Sequence, residues 1–279
     1  MKKRILIGVV ILILAVVIGV AIVIFVTHES AAPAQPAEQK TEEQAKPQKD
    51  KYEEAKLKRK QEQESDKKFS ALIDEGNKAL FSDRTKADKA FKDALDYART
   101  DEQKFKAWAG RNIVAKLLEN GDVESIAAKN MMELAKTDRE KANALEATAD
   151  AAVLMKDYQT AVKSYHEAVD YHKKNKNIDM AWTALMEEAR IMRQYIGDFD
   201  GAEKAMTSAW DIVEKSSMDE GEKNHAKWNI CINRADAARL VGDAKGQVKW
   251  NREATKYDPS WQTTADIVEN ELKSKGLIE

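Results

Sequence analysis

Apolar and polar positions divide the chain into three stretches with different patterns. Residues 5–26 form an uninterrupted run of 22 apolar side chains. Residues 27–66 contain almost nothing apolar, and from residue 67 onward apolar side chains recur at helical spacings of three and four. As a helix the first run would rise about 33 Å, close to the roughly 30 Å of a bilayer's hydrocarbon core. In lipid every backbone group must be bonded internally, so a run rich in Val and Ile is still expected to be helical there. Lys2, Lys3 and Arg4 precede it, whereas the first charge after it is Glu29 and the first basic residue Lys40. This asymmetry predicts a cytoplasmic tail at 1–4, a single transmembrane helix over 5–26, and everything later across the membrane. Ala15 and Gly19 have the small-xxx-small spacing at which two anchors pack closely, although ordinary lipid-facing positions explain them as well. The alternative is a cleaved signal peptide, with Ala32-Pro33-Ala34 as the small-x-small site, although such apolar regions usually run about 7–15 residues.

Three of the four prolines (Pro33, Pro36 and Pro47) fall in residues 27–66. With so little to bury, this segment is expected to be a flexible linker. Residues 51–66 lack proline and suit a charged, solvated helix leading into the folded domain. The basic cluster Lys56, Lys58, Arg59 and Lys60 is flanked by Glu53, Glu54, Glu62 and Glu64, which reads as a solvated face rather than a headgroup site.

In residues 67–261 turn signals recur at Ser82-Asp83, Gly121-Asp122, Lys156-Asp157, Gly197-Asp198 and Gly242-Asp243. Their separations, from the mid-thirties to the mid-forties, are those of stacked helix pairs. Gly suits the left-handed end of one helix and Asp the start of the next. After the turns, Ala87, Phe91 and Ala94, then Ala161, Tyr165 and Ala168, then Ala202, Met206 and Ala209 each place a large residue between two small ones on one helical face. The second repeat departs from this, with Ile126, Asn130 and Glu133 where that face belongs, and the last has Gln247 and Asn251. Residues 262–279, after the break at Pro259, are expected to be a capping helix with Ile267, Val268 and Leu272 on one side. Ala, Glu, Lys, Leu and Met dominate, and all favour helix. The predicted fold class is all-α: helical-hairpin repeats preceded by one transmembrane helix and a disordered linker.

These residues resemble the tetratricopeptide repeat family. The likeness is clearest over 145–168, where Leu145, Ala149 and Ala152 look like the first helix, Asp157-Tyr158 the turn, and Ala161, Tyr165 and Ala168 the second helix. Tyr257-Asp258-Pro259 looks like the family's closing proline motif. Helices over 179–196 and 219–241 are longer than the family standard, and the fourth repeat has Arg190 where a small residue is usual. The resemblance covers about residues 67–260 and implies a TPR-like α-solenoid with a concave groove lined by the first helix of each pair. It implies groove positions for Trp108, Arg111, Ala115, Asn143, Glu146, Asp150, Glu187, Ile191, Asn229, Asp236 and Arg239, and a protein or peptide as ligand. Glu146, Asp150 and Glu187 are the wrong sign for the family's carboxylate clamp and suit a partner of basic or mixed character.

Charge adds little: 46 basic and 48 acidic residues are interspersed, for a net charge of -2, so nucleic acid is not an expected partner. His166 and His172 are six apart and point to different sides of one helix; no metal-ligand spacing occurs, and no metal or cofactor is expected. The lone Cys231 lies in an apolar helical stretch and reads as a buried thiol. Six tryptophans (108, 182, 210, 228, 250 and 261) leave open an envelope enzyme or carbohydrate-binding module that uses aromatic stacking, but packing between repeats accounts for most of them. The expected function is that of a non-enzymatic adaptor, held at the cell membrane by residues 5–26 and presenting its repeat domain outside the cytoplasm, in protein export or envelope assembly. A cleaved, soluble periplasmic or secreted binder is the alternative.

Overall fold

The computed structural model of the protein describes residues 46–279; the predicted tail, transmembrane helix and first part of the linker lie outside the described residues. Among the described residues there are eleven α-helices, packed in consecutive pairs, and no strand. None of these helices is long and apolar enough to cross a membrane. In chain order they are α1 (Lys46–Ala79), α2 (Arg84–Tyr97), α3 (Asp101–Leu117), α4 (Gly121–Leu134), α5 (Asp138–Leu154), α6 (Tyr158–Lys174), α7 (Ile178–Ile191), α8 (Phe199–Lys215), α9 (Glu220–Leu240), α10 (Ala244–Ala254) and α11 (Gln262–Ser274). By its contacts the chain divides after Lys56, and Leu57–Glu279 forms one compact unit. Of the part before it, the described residues are the start of α1, in which the side chains of residues 51–56 are exposed.

Helix α1 starts within the segment expected to be linker, and over 51–66 a charged helix is expected there. From Lys46 the chain is helical, and between Pro47 and Gly76 it contains no Gly or Pro and is dominated by Lys, Glu, Gln, Ala and Asp. The folded unit also holds this helix earlier than expected. Arg99 meets Glu62 at 2.9 Å and Asp66 at 3.4 Å, and Ser65 Oγ donates to the Tyr97 carbonyl at 3.0 Å.

Each second helix opens on the same cap. The carboxylate or amide oxygen of Asp83, Asn120, Asp157, Asp198 and Asp243 accepts the backbone N–H three residues on, at 2.8–3.2 Å. In four of the five turns the preceding residue is left-handed: Glu119, Lys156, Gly197 and Gly242, with φ of 53°, 62°, 80° and 76°. The N–H of Asn120, Asp157 and Asp243 then donates to the carbonyl five residues back, which closes the end of the first helix. In the fourth turn a π-helical stretch, Met192–Ile196, adds one residue, and Asp198 N–H reaches six back to Met192 at 3.0 Å. First helices open differently: Thr100 with Gln103, Thr137 with Glu140 and Asp219 with Glu222 form reciprocal capping boxes. A typical cap of this kind is worth about 1 kcal/mol, so the eight side-chain caps among the ten helix starts from α2 to α11 stabilise the hairpins appreciably.

These caps shift the second repeat by two residues. The turn there is Glu119-Asn120, and the expected Gly121-Asp122 already lies in the first turn of α4. Asn caps a helix as well as Asp does, so the Gly-Asp pair was a misleading signal.

The small–large–small faces form the core. Ala87, Phe91, Ala94, Ala161, Tyr165, Ala168, Ala202, Met206 and Ala209 are all buried. Each triplet stands four, eight and eleven residues after its capping Asp, so the cap sets which face turns inward. Phe91 is held between two glycines: a Cβ on Gly76 of α1 would lie 2.7 Å from its ring, and one on Gly110 of α3 2.5 Å. Burying such a large side chain contributes about 2–3 kcal/mol, and here the missing Cβ atoms make the burial possible. At the far end α11 packs through Ala265, with Val268 and Leu272 half-buried. Ile267, expected on that side, is 60% exposed, because 265, 268 and 272 share a face from which 267 is rotated away.

Candidate partner-binding face

The predicted groove residues lie on α3, α5, α7 and α9, the first helices of hairpins two to five. Two cross-links join these helices to one another. Lys116 of α3 reaches Asp150 of α5 at 2.6 Å, and Arg193, in the π stretch after α7, reaches Asp236 of α9 at 3.3 Å. The first helices α3 and α5 therefore neighbour each other, as do the end of α7 and α9, and in each pair half-exposed side chains share a surface.

Along that surface Trp108 lies under the Arg111 guanidinium, 5.1 Å from the ring centroid, while Arg111 Nε donates to Asp88 at 3.0 Å. Asn143 is half-buried on α5. Asp150 accepts from Tyr165 Oη at 2.5 Å as well as from Lys116. Burial, with the nearby Asp150 carboxylate, pushes the Tyr165 hydroxyl well above its ordinary pKa, so it remains a donor. Glu146 meets His172 Nε2 at 3.0 Å, and Glu187 accepts from Arg190 Nε at 2.8 Å. Asn229 accepts the Asn233 amide at 3.0 Å. Arg239 donates to Asp236.

The three acids expected to colour the groove negative each have a cationic or donor partner within the fold. The resulting surface is mixed in charge, with aromatic and amide groups between the pairs. Two expected positions are corrected: Ile191 is fully buried in the core, and Ala115 is buried at 2% exposure. Both sit on the inner side of their helices, where they pack instead of facing solvent.

Two important groups were not among the expected site residues. Arg193 is buried, and its guanidinium binds the Asn233 carbonyl at 2.9 Å and Asn233 Oδ1 at 3.0 Å besides Asp236. Desolvation lowers its pKa, opposed by Asp236. The other is Glu124, which has no exposed surface, and neither carboxylate oxygen has a hydrogen-bond partner. Counted from its cap at Asn120, Glu124 fills the place that Ala87, Ala161 and Ala202 fill in other hairpins. The two-residue shift had hidden it, since the face was read at Ile126, Asn130 and Glu133. Ile126 is in fact 53% exposed. Burial, and then the Asp150 carboxylate, push the Glu124 pKa up to about 7, with Lys116 acting against them.

The remaining candidate chemistry resolves simply. His166 meets Glu188 of α7 and His172 meets Glu146 of α5, so the two histidines face different helices. Cys231 is fully buried, and burial pushes its thiol up to about 12. Trp182 lies in the core; Trp210 packs edge-on to Tyr257, Trp228 edge-on to Trp261, and Arg234 lies 4.6 Å above Trp250. No protein-family model matches the chain, and no curated protein is significantly similar to it.

Proposed function

We propose that the protein is a membrane-anchored, TPR-like adaptor that offers the joined surface of its first helices to a protein or peptide partner. The observation carrying this is the row of half-exposed Trp108, Arg111, Asn143, Glu146, Asp150, Glu187, Asn229 and Asp236 on successive first helices, cross-linked through Lys116–Asp150 and Arg193–Asp236. Second helices supply the packing and first helices the display, the division of labour that lets a repeat array grip an extended segment. Because the acids are matched internally, the ligand chemistry best suited is mixed, with apolar groups for Trp108 and both donors and acceptors for the amides. The 22 apolar residues at 5–26 support the anchor, which would raise the local concentration of the domain at the bilayer. Envelope or secretion components are the partner class this layout suits.

The test is in-cell photo-crosslinking from Trp108, Asn143, Glu187 and Asn229, with Lys163 and Lys204 on second helices as controls. Crosslinks to a common partner from the first-helix positions alone are expected. Equal yields from the controls would refute the face, and an unchanged partner set after deletion of residues 1–30 would refute the role of the anchor.

A further inference from the structure

Each hairpin turn exposes a large apolar side chain that the core does not use. Two residues before the capping Asp or Asn stand Phe81, Leu118, Met155 and Val241, exposed by 81%, 49%, 58% and 55%. In the fourth turn, and again in the fifth, the residue one place earlier is exposed: Tyr195 by 46% and Leu240 by 43%. Core packing does not require this, since the small–large–small faces already fill the interior. Short turns between helices are ordinarily polar, and apolar residues in all five are a pattern to explain.

The first four turns touch in succession. Arg84 Nη1, just after the first turn, donates to the Leu117 carbonyl before the second at 2.9 Å. A Cβ on Gly121 would stand 3.2 Å from Leu154 Cβ. Tyr158, after the third turn, stacks on Tyr195 before the fourth with ring centroids 4.5 Å apart. Equivalent positions thus form a continuous ridge along one edge, distinct from the first-helix face. From their fractional exposures and side-chain areas, Phe81, Leu118, Met155 and Tyr195 of the four touching turns present roughly 450 Å² per copy, within the range of the largest apolar patches on monomers. Two such ridges together would cover about 900 Å², and the polar residues around them bring the contact to the roughly 1,200 Å² of a stable interface.

The charges on the ridge suit a second copy of this chain. The first turn carries Lys78 and Arg84 against its capping Asp83, and the fourth exposes Asp198 and Asp200 with Arg193 buried behind them, while the second and third turns are close to balanced. We propose that this edge is the interface of a two-fold symmetric dimer, in which the first turn of each copy faces the fourth of the other and the second faces the third. In that antiparallel register the basic and acidic ends meet twice and Leu118 lies opposite Met155. Each contact is thereby made twice, with Leu118 of either copy meeting Met155 of the other, as an isologous interface requires.

Sedimentation of the full chain in detergent micelles tests the proposal. A dimer is expected that weakens at least tenfold in Leu118→Glu and in Met155→Glu, with unchanged helical circular dichroism because both sites are exposed. A dimer insensitive to both changes would place the association elsewhere, the Ala15–Gly19 anchor face included, and would overturn the ridge. So would a chain that stays monomeric at tens of micromolar. Register is read separately: Leu118→Cys combined with Met155→Cys should give an intermolecular disulfide on mild oxidation, undisturbed by the buried Cys231. Faster crosslinking of Met155→Cys alone would overturn the pairing stated.

Discussion

Replacing Glu124 by Gln should stabilise the protein at alkaline pH and leave it nearly unchanged at acid pH. In the folded chain the carboxyl is fully buried, without a partner, and its pKa lies near 7 against an ordinary 4.5. The charged groups facing it are Lys116 from α3 and Asp150 from α5, and Lys116 is itself engaged by Asp150. An acid whose folded pKa is raised binds more protons folded than unfolded, so stability falls as pH rises from about 4.5 to about 7 and then levels off. A displacement of about two and a half units at 1.36 kcal/mol each makes the loss roughly 3 kcal/mol by pH 8. Gln has no charge to bury, and its unpartnered amide costs about as much as the protonated acid does. Urea denaturation of both proteins from pH 4 to pH 8 should therefore show curves that coincide at the low end and separate by up to roughly 3 kcal/mol at the high end. Hydrogen exchange should place the loosening in α3 and α4. A gap between the two proteins that does not change with pH would refute the reasoning, because only ionisation of this carboxyl produces the slope.

The remaining predictions address packing, buried polar contacts and the lone thiol. Gly110→Ala should cost about 1–3 kcal/mol, since the new Cβ meets the Phe91 ring held against Gly76, and a simultaneous Phe91→Leu should recover part of it in the same denaturation assay. Arg193→Ala removes a buried guanidinium from Asp236 and Asn233; a loss of about 3 kcal/mol is expected, at the low end for such pairs because Asp236 retains Arg239. Tyr165→Phe leaves Asp150 with Lys116 alone and should lower stability by about 1–2 kcal/mol, measured by thermal unfolding. Cys231 should resist a thiol reagent at pH 8 in the folded protein and react promptly in denaturant, since it is buried and its thiol is pushed up to about 12.

Wherever a feature depends on neighbours along the chain, it was legible in the sequence. The all-helical class follows from composition and from apolar spacings of three and four. Four of the five hairpin turns were found where expected, because an Asp preceded by Gly, Lys or Ser both ends one helix and begins the next. Ala87-Phe91-Ala94, Ala161-Tyr165-Ala168 and Ala202-Met206-Ala209 were placed in the core from their periodicity, and all nine side chains are buried. The helix over 51–66 was also legible, although its packing against Arg99 and Tyr97 was not.

Contacts between helices distant in sequence were decided by the tertiary structure alone. Local spacing does not show that His172 meets Glu146, or that Lys116 and Tyr165 converge on Asp150, because those partners lie 26, 34 and 15 residues apart. For this reason acids that look like a negative groove in the sequence are matched once folded, and Ile191 turns inward. Glu124 shows the limit most clearly. Sequence spacing set its helix two residues out of register, and only the packed hairpins put a carboxylate where three other repeats hold an alanine. Periodicity specifies which faces are apolar, but the charge a buried group experiences depends on what surrounds it in space.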